Sequence, residues 1–201
     1  MMPKTLDFYF DFSSPYAYLA STQIDALATD LGRQVQWFPI LLGPMFQAMG
    51  SAPLVDIPLK GAYARHDFSR TALLFGIDYR EPDEFPIATV AAARAAWFLR
   101  SQDMALAGEF SRKVLQAYFA DQQDIRDTAV LASIAESVGA DSQAMLQAMQ
   151  TDAIKGMLKE AVSGAMERGV FGSPFIFIDN EGFWGFDRLP HIRMWAAANP
   201  A

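Results

Sequence analysis

The chain has 201 residues, 52% of them hydrophobic, a formal charge of -7 and no cysteine. That composition excludes a disordered chain, and an acidic balance with no Lys/Arg run argues against nucleic acid as a partner. Without cysteine there can be no disulfide, no cysteine metal site and no thiol nucleophile belonging to the protein itself. A chain of this length buries about 70% of its unfolded surface, so one large domain, or one carrying a sizeable insertion, folds without covalent staples.

The opening Leu6-Asp7-Phe8-Tyr9-Phe10 is interrupted by an acidic residue and matches neither a signal peptide nor a membrane span, which sets the expectation of a cytoplasmic protein. Residues 5–12 alternate and are aromatic-rich, which predicts a strand. Ser13-Ser14-Pro15 opens a helical pattern that runs to about Leu31 and closes on Gly32. Gln34-Val35-Gln36-Trp37-Phe38 predicts a second strand stopped by Pro39, so the chain begins as a parallel strand–helix–strand crossover.

From about Leu42 to Glu167 the apolar period changes to that of helices. The predicted segments are Lys60–Phe75, Ile87–Ser101, Ala105–Ala120, Thr128–Val138, Asp141–Gln150 and Asp152–Arg168, with loop signals around Gly50 and Pro82. Strand periodicity returns only after Gly169. Phe175–Asp179 reads as a short buried strand, Asn180-Glu181-Gly182 as a turn, Phe183-Trp184-Gly185 as its hairpin partner and Leu189–Ala198 as a closing helix. The expected fold class is α/β, a sheet-containing domain formed by residues 1–42 and 166–201 with an all-helical domain, 43–165, inserted between them.

Four local features carry candidate chemistry, and each also has a purely structural reading. Ser14-Pro15 is a helix cap followed by a first-turn proline; the same hydroxyl at a helix start also favours an anion, a thiolate included. In Gly172-Ser173-Pro174-Phe175 the proline opens a strand. A cis Ser173–Pro174 bond would leave the Ser173 main chain open to a peptide-like ligand. Asp187 either caps the last helix or holds an ammonium group. Lys60, Tyr63, Asp67 and Arg70 form a solvated helix face, or Lys60 holds a ligand carboxylate. His66 and His191 match no metal spacing, Met145 and Met149 read as core, and no metal site is predicted.

Taken in order along essentially the whole chain, these pieces resemble the 2-hydroxychromene-2-carboxylate isomerases and their relatives, the kappa-class glutathione transferases. Phe8-Tyr9-Phe10-Asp11-Phe12-Ser13-Ser14-Pro15-Tyr16-Ala17-Tyr18-Leu19 is similar to that family's first strand and active-site helix. Gly169-Val170-Phe171-Gly172-Ser173-Pro174 and Phe183-Trp184-Gly185-Phe186-Asp187-Arg188-Leu189 are similar to its second signature. The resemblance implies a thioredoxin-like fold in which Ser14-Pro15-Tyr16-Ala17 stands where disulfide oxidoreductases carry Cys-x-x-Cys, with the thiol borrowed from glutathione. It implies that Ser14 is the catalytic residue, stabilising the glutathione thiolate, and that the Ser173 backbone pairs with the glutathione cysteine beside Pro174. Asp187 would meet the γ-glutamyl ammonium, Lys60 would meet a carboxylate, and Phe186 completes the binding segment. The chain departs from the family pattern at Ser51, Ala88, Ser173 and Phe186.

The implied reaction is thiolate addition to a conjugated aromatic keto acid, bond rotation and elimination, in aromatic catabolism by a cytoplasmic homodimer without membrane or nucleic-acid partners. Phe12, Phe46, Phe85 or Trp184 would line the aromatic pocket, or serve as core. A kappa-type transferase or peroxidase, and a non-catalytic thioredoxin-like scaffold, are the alternatives.

Overall fold

A computed structural model of the protein describes residues 4–199. Four strands form one mixed sheet in the order β2-β1-β3-β4: β1 (Thr5–Phe10), β2 (Gln34–Pro39), β3 (Phe175–Ile178) and β4 (Glu181–Trp184). β1 pairs parallel with β2, Phe8 beside Trp37, and antiparallel with β3, Phe8 beside Ile176. The two ends of the chain therefore build one sheet, as the return of strand periodicity after Gly169 predicts. Alternation sends Leu6, Phe8 and Phe10 to one face, all fully buried, where the edge of Trp37 meets both phenylalanine rings. Tyr9, Phe38 and Phe177 face the other side, with the Arg168 guanidinium over the Phe177 ring. Each fully buried phenylalanine contributes about 2–3 kcal/mol of transfer free energy, so this aromatic strand anchors the fold.

The connection from β1 to β2 is two helices rather than one, α1 (Pro15–Ser21) and α2 (Ile24–Asp30). The break has a local cause. The Ser21 and Thr22 hydroxyls donate back to the Tyr18 and Leu19 carbonyls, and the Thr22 and Gln23 amides bond three residues back instead of four. Gly32, in the left-handed region, ends the unit as expected.

After β2 come α3 (Leu42–Met49), a 3-10 turn at Leu54–Asp56, α4 (Lys60–Phe75), α5 (Val90–Gln102), α6 (Met104–Phe119), α7 (Thr128–Ser137), α8 (Ser142–Ala148) and α9 (Asp152–Glu167). Asp127 and Asp141 cap α7 and α8 as their sequence positions predict, and Asp103 does the same for α6 through two amides. α3 is not anticipated by the sequence, and α5 starts three residues later than the periodicity suggests. Both differences trace to contacts with the β1–α1 loop described below.

The β3–β4 turn sits at Asp179-Asn180, one residue earlier than expected, with Asp179 at φ 55°. Arg33 holds the Asp179 carboxylate in a two-pronged bond of 2.9 and 2.8 Å. A 3-10 turn at Phe186–Arg188 then leads into α10 (Leu189–Ala198). Met145 and Met149 are core, and no helix among the described residues is long and apolar enough to cross a membrane.

Candidate functional site

The site starts where β1 ends. Asp11 is 4% exposed, and its carboxylate accepts from the Ser13 amide at 2.9 Å, the Leu42 amide at 2.7 Å and the Thr89 hydroxyl at 2.7 Å. These three donors belong to the β1–α1 loop, the first residue of α3 and the residue preceding α5. The Leu42 contact caps α3 from a distant residue, which is why local sequence does not reveal that helix. Ser13 Oγ accepts from the Ile87 amide at 3.3 Å, and with the Thr89 contact this holds 87–89 out of helix until Val90. Burial pushes the Asp11 pKa up, and its three hydrogen bonds pull the other way without overcoming it.

Ser14 is 4% exposed and stands immediately before α1. Its Oγ accepts from the Ala17 amide at 3.2 Å, the expected cap, and its hydroxyl donates to the Ser173 carbonyl at 2.8 Å. Ser173 Oγ in turn accepts from the Asp11 amide at 2.9 Å. Two serines 159 residues apart in sequence thus share one buried hydrogen-bonded unit. The Ser173–Pro174 bond is cis, and the Pro174 carbonyl is held by the Gly185 amide at 3.0 Å. The Ser173 N–H has no partner among the described residues.

Tyr16 connects this unit to α4. Its phenol donates to Asp67 at 2.6 Å, Asp67 also binds Arg70, and Arg70 reaches the Tyr63 hydroxyl at 3.0 Å. Lys60, Tyr63, Asp67 and Arg70 recur at spacings of three, four and three and so share one stripe of α4. Lys60 lies about 10 Å along the helix from Asp67. It is exposed, and its ammonium has no ion pair among the described residues. The Asp67–Arg70 part of this stripe is a bonded network and not a solvated face.

Burial, the Asp67 bond and nearby negative charge, including Asp187, push the Tyr16 pKa up. Asp187 does not cap α10: its carboxylate is exposed, with Arg188 at 3.2 Å. Phe186 is buried, its ring in a T-shaped contact with Phe75.

Of the aromatic candidates, Phe12 is fully buried core, and Phe85 packs against Phe68 and Phe119. Phe46 is partly buried. Trp184 is 54% exposed and rests over Gly172, where a Cβ would strike the indole; Phe171, 43% exposed, meets it at 5.0 Å. Both are exposed beside Ser173. Phe171 was not among the sequence candidates, although its place two residues before Ser173 marks it.

The arrangement brings together the end of β1, the Ser14-capped start of α1 and the cis Ser173–Pro174 edge of β3. Residues 5–194 match the model of the DSBA-like thioredoxin domain. A 2-hydroxychromene-2-carboxylate isomerase from Sphingobium xenophagum is 32% identical over 196 residues, covering 96% of this chain and 98% of that one. The chain belongs to this isomerase and kappa-transferase family of DSBA-like thioredoxin proteins. Glutathione S-transferase kappa 1 from Rattus norvegicus, 24% identical, covers 93% of the chain and 88% of its own. A solved structure of a 2-hydroxychromene-2-carboxylate isomerase superposes with a TM-score of 0.87 at 28% identity, covering 96% and 95% of the two chains.

Proposed function

We propose that the protein is a glutathione-dependent isomerase of the 2-hydroxychromene-2-carboxylate type. The observation that carries this is the Ser14–Ser173 unit beside cis Pro174, in a chain with no cysteine of its own. The polar groups suit a small zwitterionic peptide: an unpartnered Ser173 N–H and an exposed Lys60 ammonium as donors, and an exposed Asp187 carboxylate as acceptor. Kappa-class glutathione transferases among the relatives support the same ligand.

In this reading the Ser173 main chain aligns the cysteinyl residue and Asp187 takes the γ-glutamyl ammonium. Lys60 takes a carboxylate, and Pro174 and the Phe186 main chain shape the edge. When bound, glutathione supplies the nucleophilic thiolate whose addition to a conjugated aromatic keto acid, and later loss, lets a stiff double bond rotate. Ser14 stabilises that thiolate by donating its hydroxyl proton as a hydrogen bond; hydrogen bonding to the charged form lowers an acid's pKa. Phe171 and Trp184 offer the aromatic substrate a wall beside Ser173. The same proposal makes the protein a cytoplasmic homodimer.

The test is the absorbance change of a chromene carboxylate incubated with the protein, with and without glutathione. Isomerisation that requires glutathione without consuming it supports the reading. Glutathione conjugated to the substrate indicates a transferase instead, and no binding of glutathione leaves a scaffold.

A further inference from the structure

We propose that the Ser14 hydroxyl is a shared donor, which turns from the Ser173 carbonyl to a ligand thiolate only when the ligand's own cysteinyl N–H replaces it on that carbonyl. This rests on the glutathione reading above. A serine hydroxyl has one proton to donate. In the structure that proton is engaged by the Ser173 carbonyl at 2.8 Å, while the oxygen accepts from the Ala17 amide at 3.2 Å. Ser14 is therefore not an idle donor waiting for an anion; a bond must be given up first.

The Ser173 carbonyl is fixed in place. Ser173 Oγ is bound by the Asp11 amide, Asp11 is held by three further donors, and Pro174 is tied to Gly185 at 3.0 Å. The hydroxyl hydrogen, by contrast, rotates about Cβ–Oγ without moving the oxygen, so the cap on Ala17 survives the turn. Ser173 is only 9% exposed, so a carbonyl abandoned by Ser14 stands unpaired with little access to water, which opposes the turn. A peptide lying alongside Ser173 removes that opposition by bringing an N–H of its own.

Two consequences follow. Backbone recognition and thiol activation become one event, so the site activates cysteinyl peptides and leaves simple thiols unactivated even when they occupy it. At low pH, where the thiol is protonated, Ser14 keeps its bond to Ser173 and loss of the ligand N–H costs little affinity.

The experiment compares glutathione with a depsipeptide analogue whose cysteinyl N–H is replaced by an ester oxygen. Thiolate absorbance of each bound ligand is titrated against pH, with the S-methyl ligand subtracted to remove tyrosine signal. The chain has no cysteine, so the remaining thiolate signal is the ligand's. For glutathione the midpoint is expected at least one pH unit below that of the free thiol. For the depsipeptide it stays near the free value, while affinity at pH 5 falls less than about tenfold. Equal lowering of both midpoints overturns the shared donor and leaves the glutathione reading intact, as does a depsipeptide that fails to bind at pH 5. If glutathione itself does not bind, or binds with an unshifted thiol, the reading beneath it fails as well.

Discussion

Replacing Asp11 with asparagine probes the frame that holds Ser14 and Ser173 together. One Asp11 oxygen accepts from the Ser13 amide and the Thr89 hydroxyl, the other from the Leu42 amide. The Thr89 hydroxyl can reverse its role, but both backbone amides can only donate. Whichever way the new side-chain amide is turned, its NH2 faces one of those amides. One charge-assisted bond is lost and a buried donor is left unpaired, a cost of about 2–4 kcal/mol at pH 7. Asp11→Ala removes all three bonds and costs more than about 4 kcal/mol, a large share of the about 5–15 kcal/mol that holds such a domain.

The loss also depends on pH. Burial raises the Asp11 pKa above its ordinary 3.8, so the folded state binds the proton more tightly than the unfolded chain. The resulting gain in wild-type stability is fully present below 3.8 and disappears as pH rises through the higher folded value. Asparagine does not titrate, so the deficit of Asp11→Asn widens as pH falls from 7 towards 4, and other carboxylates cancel in the difference. Urea unfolding of both proteins across that range measures it. A variant within about 0.5 kcal/mol of wild type at every pH would refute the account of Asp11 as a loaded buried carboxylate.

Three further outcomes are expected. Tyr16→Phe removes the bond to Asp67 and should cost about 1–2 kcal/mol of stability by urea unfolding. By loosening α4 it should weaken glutathione binding about threefold to tenfold in calorimetry while leaving the bound thiol's titration unchanged. Gly61→Ala drives a Cβ into the Val55 backbone and should lower stability by about 1–3 kcal/mol, read as a fall in melting temperature. Asp187→Asn should reduce glutathione affinity by about tenfold, and affinity for a γ-glutamyl analogue lacking its amine should be unaffected by the change.

Much of the fold is legible because burial follows period. Phe8, Phe10 and Trp37 sit where alternation puts them, and Lys60–Phe75 and Leu189–Ala198 have the bounds their patterns suggest. What the sequence hides is tertiary capping. Leu42 has no capping side chain before it, and its helix starts because Asp11 supplies an acceptor from 31 residues away. The break between α1 and α2 was readable in principle, since Ser21-Thr22 places two back-bonding hydroxyls in one turn.

At the site, Ser14 and Ser173 are recognisable from their prolines, but their mutual bond is a property of the folded sheet. The role of Asp11 is hard to read locally, because an acidic residue at a strand end usually faces water. Its position inside Phe8-Tyr9-Phe10-Asp11-Phe12, an otherwise buried aromatic run, was the available sign. For Tyr16, only the approach of α4 gives its hydroxyl the Asp67 partner.

The central claim, that Ser14 holds a glutathione thiolate, is tested most directly by titrating the ultraviolet thiolate absorbance of bound glutathione in wild type and in Ser14→Ala. A free thiol of this kind titrates at about 8.5. The account predicts a wild-type midpoint about one to two pH units lower, and a return towards the free value in Ser14→Ala, with about 1 kcal/mol of stability lost from the missing cap. Coincident titration curves for the two proteins would reduce Ser14 to a helix cap and contradict the account.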